Sequence, residues 1–236
     1  MRAMYAVLGA RGQVVTAWCA TASGLAALLA AALVPADAEQ GPIQKLMYLH
    51  VPAAWLAYLS FTVVFVAGVA YLRTGQARWD RLGEASAEAG VVFAALTIVL
   101  GALWGRPVWG TWWTWDPRLT TTAVLLLTYL GYLAVRRLPD SPARAYRWAA
   151  VIGVAGFVNV PIVHLSVVWW RSLHQPASVL RVDGPTVAAP MLVTLLLAVV
   201  AFTFAYLWLV GTRMRLRRLE ERLTAAALGP AVRSGR

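Results

Sequence analysis

An all-helical integral membrane protein of six transmembrane helices is the fold class this sequence predicts, and three observations carry it. The chain is 60% hydrophobic and only 13% charged, with a mean hydropathy of +0.65, far from soluble globular usage. Its charges are spaced so that six runs hold no Asp, Glu, Lys or Arg: 12–36, 46–72, 89–105, 119–135, 148–170 and 184–212. Each reaches the ~17 residues that a helix needs to cross about 30 Å of hydrocarbon. The basic residues are also sorted: with six spans, 16 of the 21 fall on the side that holds both termini. By the positive-inside rule that side is cytoplasmic. The net charge of +11 then reflects topology and contact with anionic lipid rather than a nucleic-acid partner.

The spans follow in order. Span 1 (about 13–35) contains "VVTAWCATASGLAALLAAALV" (14–34), longer than the roughly 7–15 apolar residues of a signal peptide. It reads as a retained helix, although "PADA" (35–38) resembles a cleavage site. Cys19 is the single cysteine; it excludes a CxxC pair and an internal disulfide and reads as a small buried hydrophobe. Spans 2 (46–72) and 3 (89–105) are joined by an inner loop, 73–88. The outer connection to span 4 (119–135) is a Trp-rich segment, 104–119, "WGRPVWGTWWTWDPRL". An Arg-rich inner loop (136–147), span 5 (148–170), an outer loop (171–186) and span 6 (187–211) complete the membrane domain. A basic cytoplasmic tail, 212–236, continues span 6 as helix and frays at "LGPAVRSGR". The chain contains no internal repeat and no soluble domain.

This topology places all three histidines and the whole Trp segment on the outer side. Ionisable groups within membrane segments are costly and point to function. His50 lies about 6 Å into span 2 and His164 about 9 Å into span 5 from its outer end, at 1.5 Å per residue, so the two imidazoles share a depth. Pro52 and Pro161 flank them, and both helices should start late or kink there, as backbone does where it lines a cavity. His174, in "SLHQP", reads as loop polarity rather than as a ligand.

Trp104, Trp109, Trp112, Trp113 and Trp115 are five of twelve tryptophans in one connector. An aromatic belt at the membrane interface is one reading; a platform for a large planar conjugated ligand is the other, favoured because a belt spreads its indoles over many helices. Asp116 precedes Pro117 where span 4 starts, the pattern of an N-cap with Pro at the first helical position. Zinc would want four tight ligands, which this side lacks. Haem would want axial imidazoles, an apolar platform and cations for its propionates. His50 and His164, the Trp segment, and Arg106, Arg118 and Arg171 supply these. There is no nucleophile elbow, HExxH or phosphate loop, so ATP hydrolysis by this chain is excluded.

"WGTWWTWDPRLT" (109–120) resembles the tryptophan-rich WWD signature of the haem-handling proteins of cytochrome c biogenesis. "LHVPAAW" (49–55) and "PIVHLSVVWWRSLHQ" (161–175) are similar to the histidine-bearing segments of its short six-span branch, cytochrome c maturation protein C or haem exporter protein C. The resemblance runs over about residues 40 to 212. It implies haem b held at the periplasmic face of the bacterial inner membrane by two axial histidines, here His50 and His164, with Trp109, Trp112, Trp113, Trp115 and Asp116 of the WWD segment. It further implies handover to a membrane-anchored haem chaperone, protein E, in a complex with the ABC transporter proteins A and B and the small membrane protein D. The ATPase would be a partner and this chain no enzyme. Two other readings stand beside it: a haem lyase acting directly on apocytochrome, and a quinone-binding protein.

Overall fold

The computed structural model describes residues 9–138, 141–176 and 178–233. Arg2, the middle of the Arg-rich loop and the end of the tail, three regions on which sequence expectations were placed, lie outside them. Among the described residues seven α-helices make six membrane-length spans: α1 Ala10–Leu33, α2 Met47–Thr74, α3 Ala77–Trp109, α4 Pro117–Val135, α5 Pro142–Gly156, α6 Asn159–Trp169 and α7 Ala189–Arg233. A 3-10 turn, Pro42–Leu46, leads into α2.

Local chemistry explains the ends. Asp116 caps α4, its Oδ1 accepting from the Arg118 amide at 2.9 Å, with Pro117 at the first position. Ser141 and Pro142 start α5 in the same way. The fifth span is broken at Phe157–Val158, between α5 and α6. Pro161 has no N–H to offer the Phe157 carbonyl and its ring crowds that carbonyl. Phe157 O instead accepts from Val160 at 2.9 Å. Pro52, by contrast, sits inside a continuous α2.

Helix α3 runs past the point where charge alone would end it. Arg106 interrupts the apolar run, but helices stop on backbone signals. The stop here is Gly110, at φ 78 with its amide bonded to the Arg106 carbonyl at 3.0 Å. Trp104 and Trp109 are therefore helical, and the non-helical Trp segment is 110–116. Helix α7 likewise continues from its membrane span to Arg233 as one 45-residue helix, about 67 Å long, so 228–233, expected to fray, are helical instead.

Helix α2 is central, packing on α3, α5 and α7, while α1 packs on α7. Phe61 of α2 stacks on Tyr129 of α4 at 3.7 Å, in a core that includes Val64, Leu125 and Val163. Gln13 near the start of α1 accepts from Thr212 of α7 at 3.0 Å, so the chain enters and leaves at one end. That end also gathers carboxylates and arginines. Arg136, just after α4, makes a bidentate contact with Asp80 at 2.7 Å and reaches Glu84 at 3.1 Å. Glu84 also binds Arg217, and Arg213 binds Glu88 at 2.5 Å. These contacts tie α3 to α7 and to the end of α4.

Candidate functional site

At the opposite end a cavity of ≈ 420 Å³ opens among α2, α3, α4 and α6, within the usual range for a small-molecule site. It exists because α6 turns away. Helix α5 packs on α2, but after the break at Phe157–Val158 the chain of α6 rests mainly on α4. The walls that face the gap carry small residues, Ala54 and Ala57 on α2 and Ala94, Gly101, Ala102 and Gly105 on α3. Ala57 lies seven residues beyond His50, so the space reaches about 10 Å below that ring.

His50 packs closely against α3 at Gly101. A methyl group on Gly101 would stand 3.1 Å from its Cε1 and 3.5 Å from its Nδ1, and one on Gly105 would stand 2.8 Å from the Trp109 ring. These two glycines, one turn apart, thus seat an imidazole and an indole. The His50 ring is edge-on to Trp104 at 5.8 Å. Trp104 is held in turn by its Nε1 donating to Gln40 Oε1 at 2.8 Å. His50 Nδ1 is buried without a hydrogen bond of ordinary geometry, and the ring faces the Thr97 backbone of α3.

His164, on α6, lines the cavity from the other side and is exposed to it. Its ring meets Tyr58 edge-on at 6.2 Å, and its carbonyl accepts from Arg118 Nη2 at 2.8 Å. Arg118 itself lines the cavity, with Nε buried and unpartnered.

His174 is the residue that sequence reasoning passed over. The 170–188 connection returns over the cavity, so that Leu173, His174, Gln175, Pro176, Ser178 and Val179 line it. His174 contacts the Trp109 ring at 5.0 Å, and its Nδ1 is also buried without a partner. Burial, first, and then the neighbouring Arg118 and His50 lower its pKa to about 4, so it is a neutral imidazole at physiological pH. A neutral ring keeps a lone pair for a metal. Nothing in the local sequence marks this position, because its role depends on where the loop lies.

The other expected residues separate into two sets. Trp104, Trp109, Trp112, Trp113 and Arg118 line the cavity. Trp115, Arg106 and Arg171 do not. Trp115 is 82% exposed and meets Trp113 edge-on at 5.8 Å. Arg106 lies over the Trp112 ring at 6.0 Å and donates to the Gly110 carbonyl at 2.5 Å, and Arg171 is exposed. Asp116 is buried behind the wall: besides capping α4 it accepts from the Leu173 amide at 2.7 Å.

The donor set fits a metal held in a planar macrocycle. Among the described residues no group of three His, Cys, Asp or Glu side chains could hold a bare metal ion. A metal that brings its own planar ring of donors needs only axial nitrogens, an apolar surface for the ring and a cation for acidic substituents. Orphaned imidazole nitrogens, four cavity-lining indoles and the Arg118 guanidinium are what this cavity presents.

Residues 2–228 match the model of the family described as heme exporter protein C. The heme exporter protein C of Bradyrhizobium diazoefficiens is 41% identical over 87% of this chain and 78% of its own length. That of Haemophilus influenzae is 38% identical over 80% of this chain and 77% of its own. A Marchantia polymorpha mitochondrial protein named for cytochrome c biosynthesis is 32% identical over 81% of each chain.

Proposed function

The chain belongs to the haem exporter protein C family, and from that premise we propose that it binds haem in the Trp-walled cavity and serves the haem-delivery branch of cytochrome c maturation. It acts as a delivery subunit rather than an enzyme. The carrying observation is that His50 and His174 each bury an unpartnered Nδ1 against one cavity walled by Trp104, Trp109, Trp112 and Trp113. Buried polar atoms without partners are rare, and each asks for an explanation. Positioning toward a ligand is the explanation favoured here.

His50 would supply one nitrogen to the iron. Sequence depth pairs this histidine with His164, whereas the buried, unpartnered Nδ1 that His174 shares with His50 on the same cavity favours His174. The assignment proposed is therefore His50 with His174, leaving His164 as a wall residue whose carbonyl anchors Arg118. Arg118 pairs with a propionate; Arg106 and Arg171 stand outside the lining. The bound iron would supply a Lewis-acidic centre for imidazole nitrogens. The protein's own part is to seat the two rings and to offer indole to the macrocycle.

The haem is b-type, held without covalent attachment, since the only cysteine, Cys19, is on α1 and does not line the cavity. The charge asymmetry supports a periplasmic site in the bacterial inner membrane. From there haem passes to the membrane-anchored chaperone, protein E. The chain works beside the ABC transporter proteins A and B, which hydrolyse ATP, and the small protein D.

Absorption spectroscopy of the purified chain after haem supplementation tests this reading. A low-spin bis-imidazole spectrum is expected, lost in His50→Ala and in His174→Ala but kept in His164→Ala. A colourless wild-type preparation would overturn haem binding, and loss in His164→Ala with retention in His174→Ala would return the second ligand to α6.

A further inference from the structure

Asp116 does more than a helix cap needs. An N-cap uses one side-chain oxygen on an amide two or three residues ahead, and Oδ1 does this for Arg118 at 2.9 Å. Oδ2 is engaged separately, accepting from the amide of Leu173 at 2.7 Å, 57 residues away. Asp116 is 7% exposed, so its oxygens are largely shielded from water, and charge-assisted bonds of this kind are the strong ones. Leu173 is the residue before His174. The His174 amide is bonded to Ser172 Oγ at 3.1 Å, which folds the loop tightly around this anchor.

We propose that Asp116 is a positioning residue for His174, a two-ended clasp whose second oxygen fixes the histidine-bearing loop to the Trp segment and so aims the imidazole into the cavity. The neighbouring Arg118 performs the companion task on α6, through the His164 carbonyl. The short run Asp116–Pro117–Arg118 thereby grips both chain segments that bring histidines from beyond residue 160. A carboxylate is required because two amides must be met by two acceptors. Asn would turn a donor toward one of them, and Ser has a single oxygen.

The proposal rests on His174 as a haem ligand, and the experiment separates the two. Full-length Asp116→Ser and Asp116→Asn both retain a capping oxygen, so helix content and thermal unfolding should stay near wild type. In the haem-free protein, amide exchange over 171–176 should accelerate about tenfold or more while α4 keeps its protection. With haem, affinity should fall about 10–100-fold, as for other partners that orient a ligand, and the spectrum should move toward that of His174→Ala. Combining Asp116→Ser with His174→Ala should add nothing further to the spectral change. Unchanged exchange over 171–176, or a spectral effect that adds to that of His174→Ala, overturns the clasp. Wild-type absorption in His174→Ala overturns the ligand assignment instead, while the exchange measurement still decides whether Asp116 holds the loop.

Discussion

The two ends of this bundle differ in what their buried ionisable groups face. At the Arg-rich end Asp80, Glu84 and Arg136 are 5%, 8% and 6% exposed. Each meets an opposite charge within hydrogen-bond distance. At the Trp end His50 and His174 line a cavity and meet no opposite charge within salt-bridge distance, each with a buried Nδ1 that lacks a hydrogen-bond partner. The packing differs in the same sense. Helices α2, α3 and α7 close on one another around the paired charges, whereas α6 leans away from α2 and leaves a cavity. Paired buried charges hold helices in register. Uncharged imidazoles in a roomy, aromatic-walled space leave room for the ligand proposed above.

The largest effect that probes this contrast is expected at the satisfied end. Arg136→Ala leaves Asp80 and Glu84 buried without their shared partner and should lower stability by about 3–5 kcal/mol, read as a drop in the midpoint of thermal or denaturant unfolding. A midpoint near wild type would mean that the cluster is wetter than its burial implies. At the open end a comparable insult should spare the fold and damage the ligand. Gly101→Val places methyl groups against the His50 ring, which a single Cβ would already approach to 3.1 Å. About 1–3 kcal/mol of crowding should appear as weakened haem absorption, with helix content unchanged by circular dichroism. The smallest effect belongs to Trp115. At 82% exposure and outside the cavity lining, Trp115→Ala should change stability by no more than about 0.5 kcal/mol and leave haem titrations at wild-type affinity. A marked loss of haem there would place the binding surface outside the cavity.

Much of the fold could be read from the chain because it depends on local patterns. Six charge-free runs are six membrane-length spans, since transfer into hydrocarbon is decided residue by residue along one helix. The Asp116 cap and the break ahead of Pro161 were legible for the same reason: each involves groups within a few residues. The end of α3 was not. Arg106 ends the apolar run, but a basic residue in a last turn suits the helix dipole, and the helix continues to its glycine stop. The Arg-rich end was legible only as topology. That its acids and bases interlock across α3, α4 and α7 requires knowing which faces meet.

What the sequence determined by itself was the membrane class, the number of spans, the Trp-rich and histidine-bearing segments and their common end, because hydropathy and proline and glycine signals act over a turn or two of helix. What only the tertiary structure decided was which of those residues share a cavity. Trp115, Arg106 and Arg171 are neighbours in sequence of residues that line it, yet stand outside. His174 enters because its loop folds back and is tied by Leu173 to Asp116. A cavity is the space left when helices diverge and a loop returns, and its lining is therefore set by contacts between segments 50 to 120 residues apart, which no local pattern along the chain encodes.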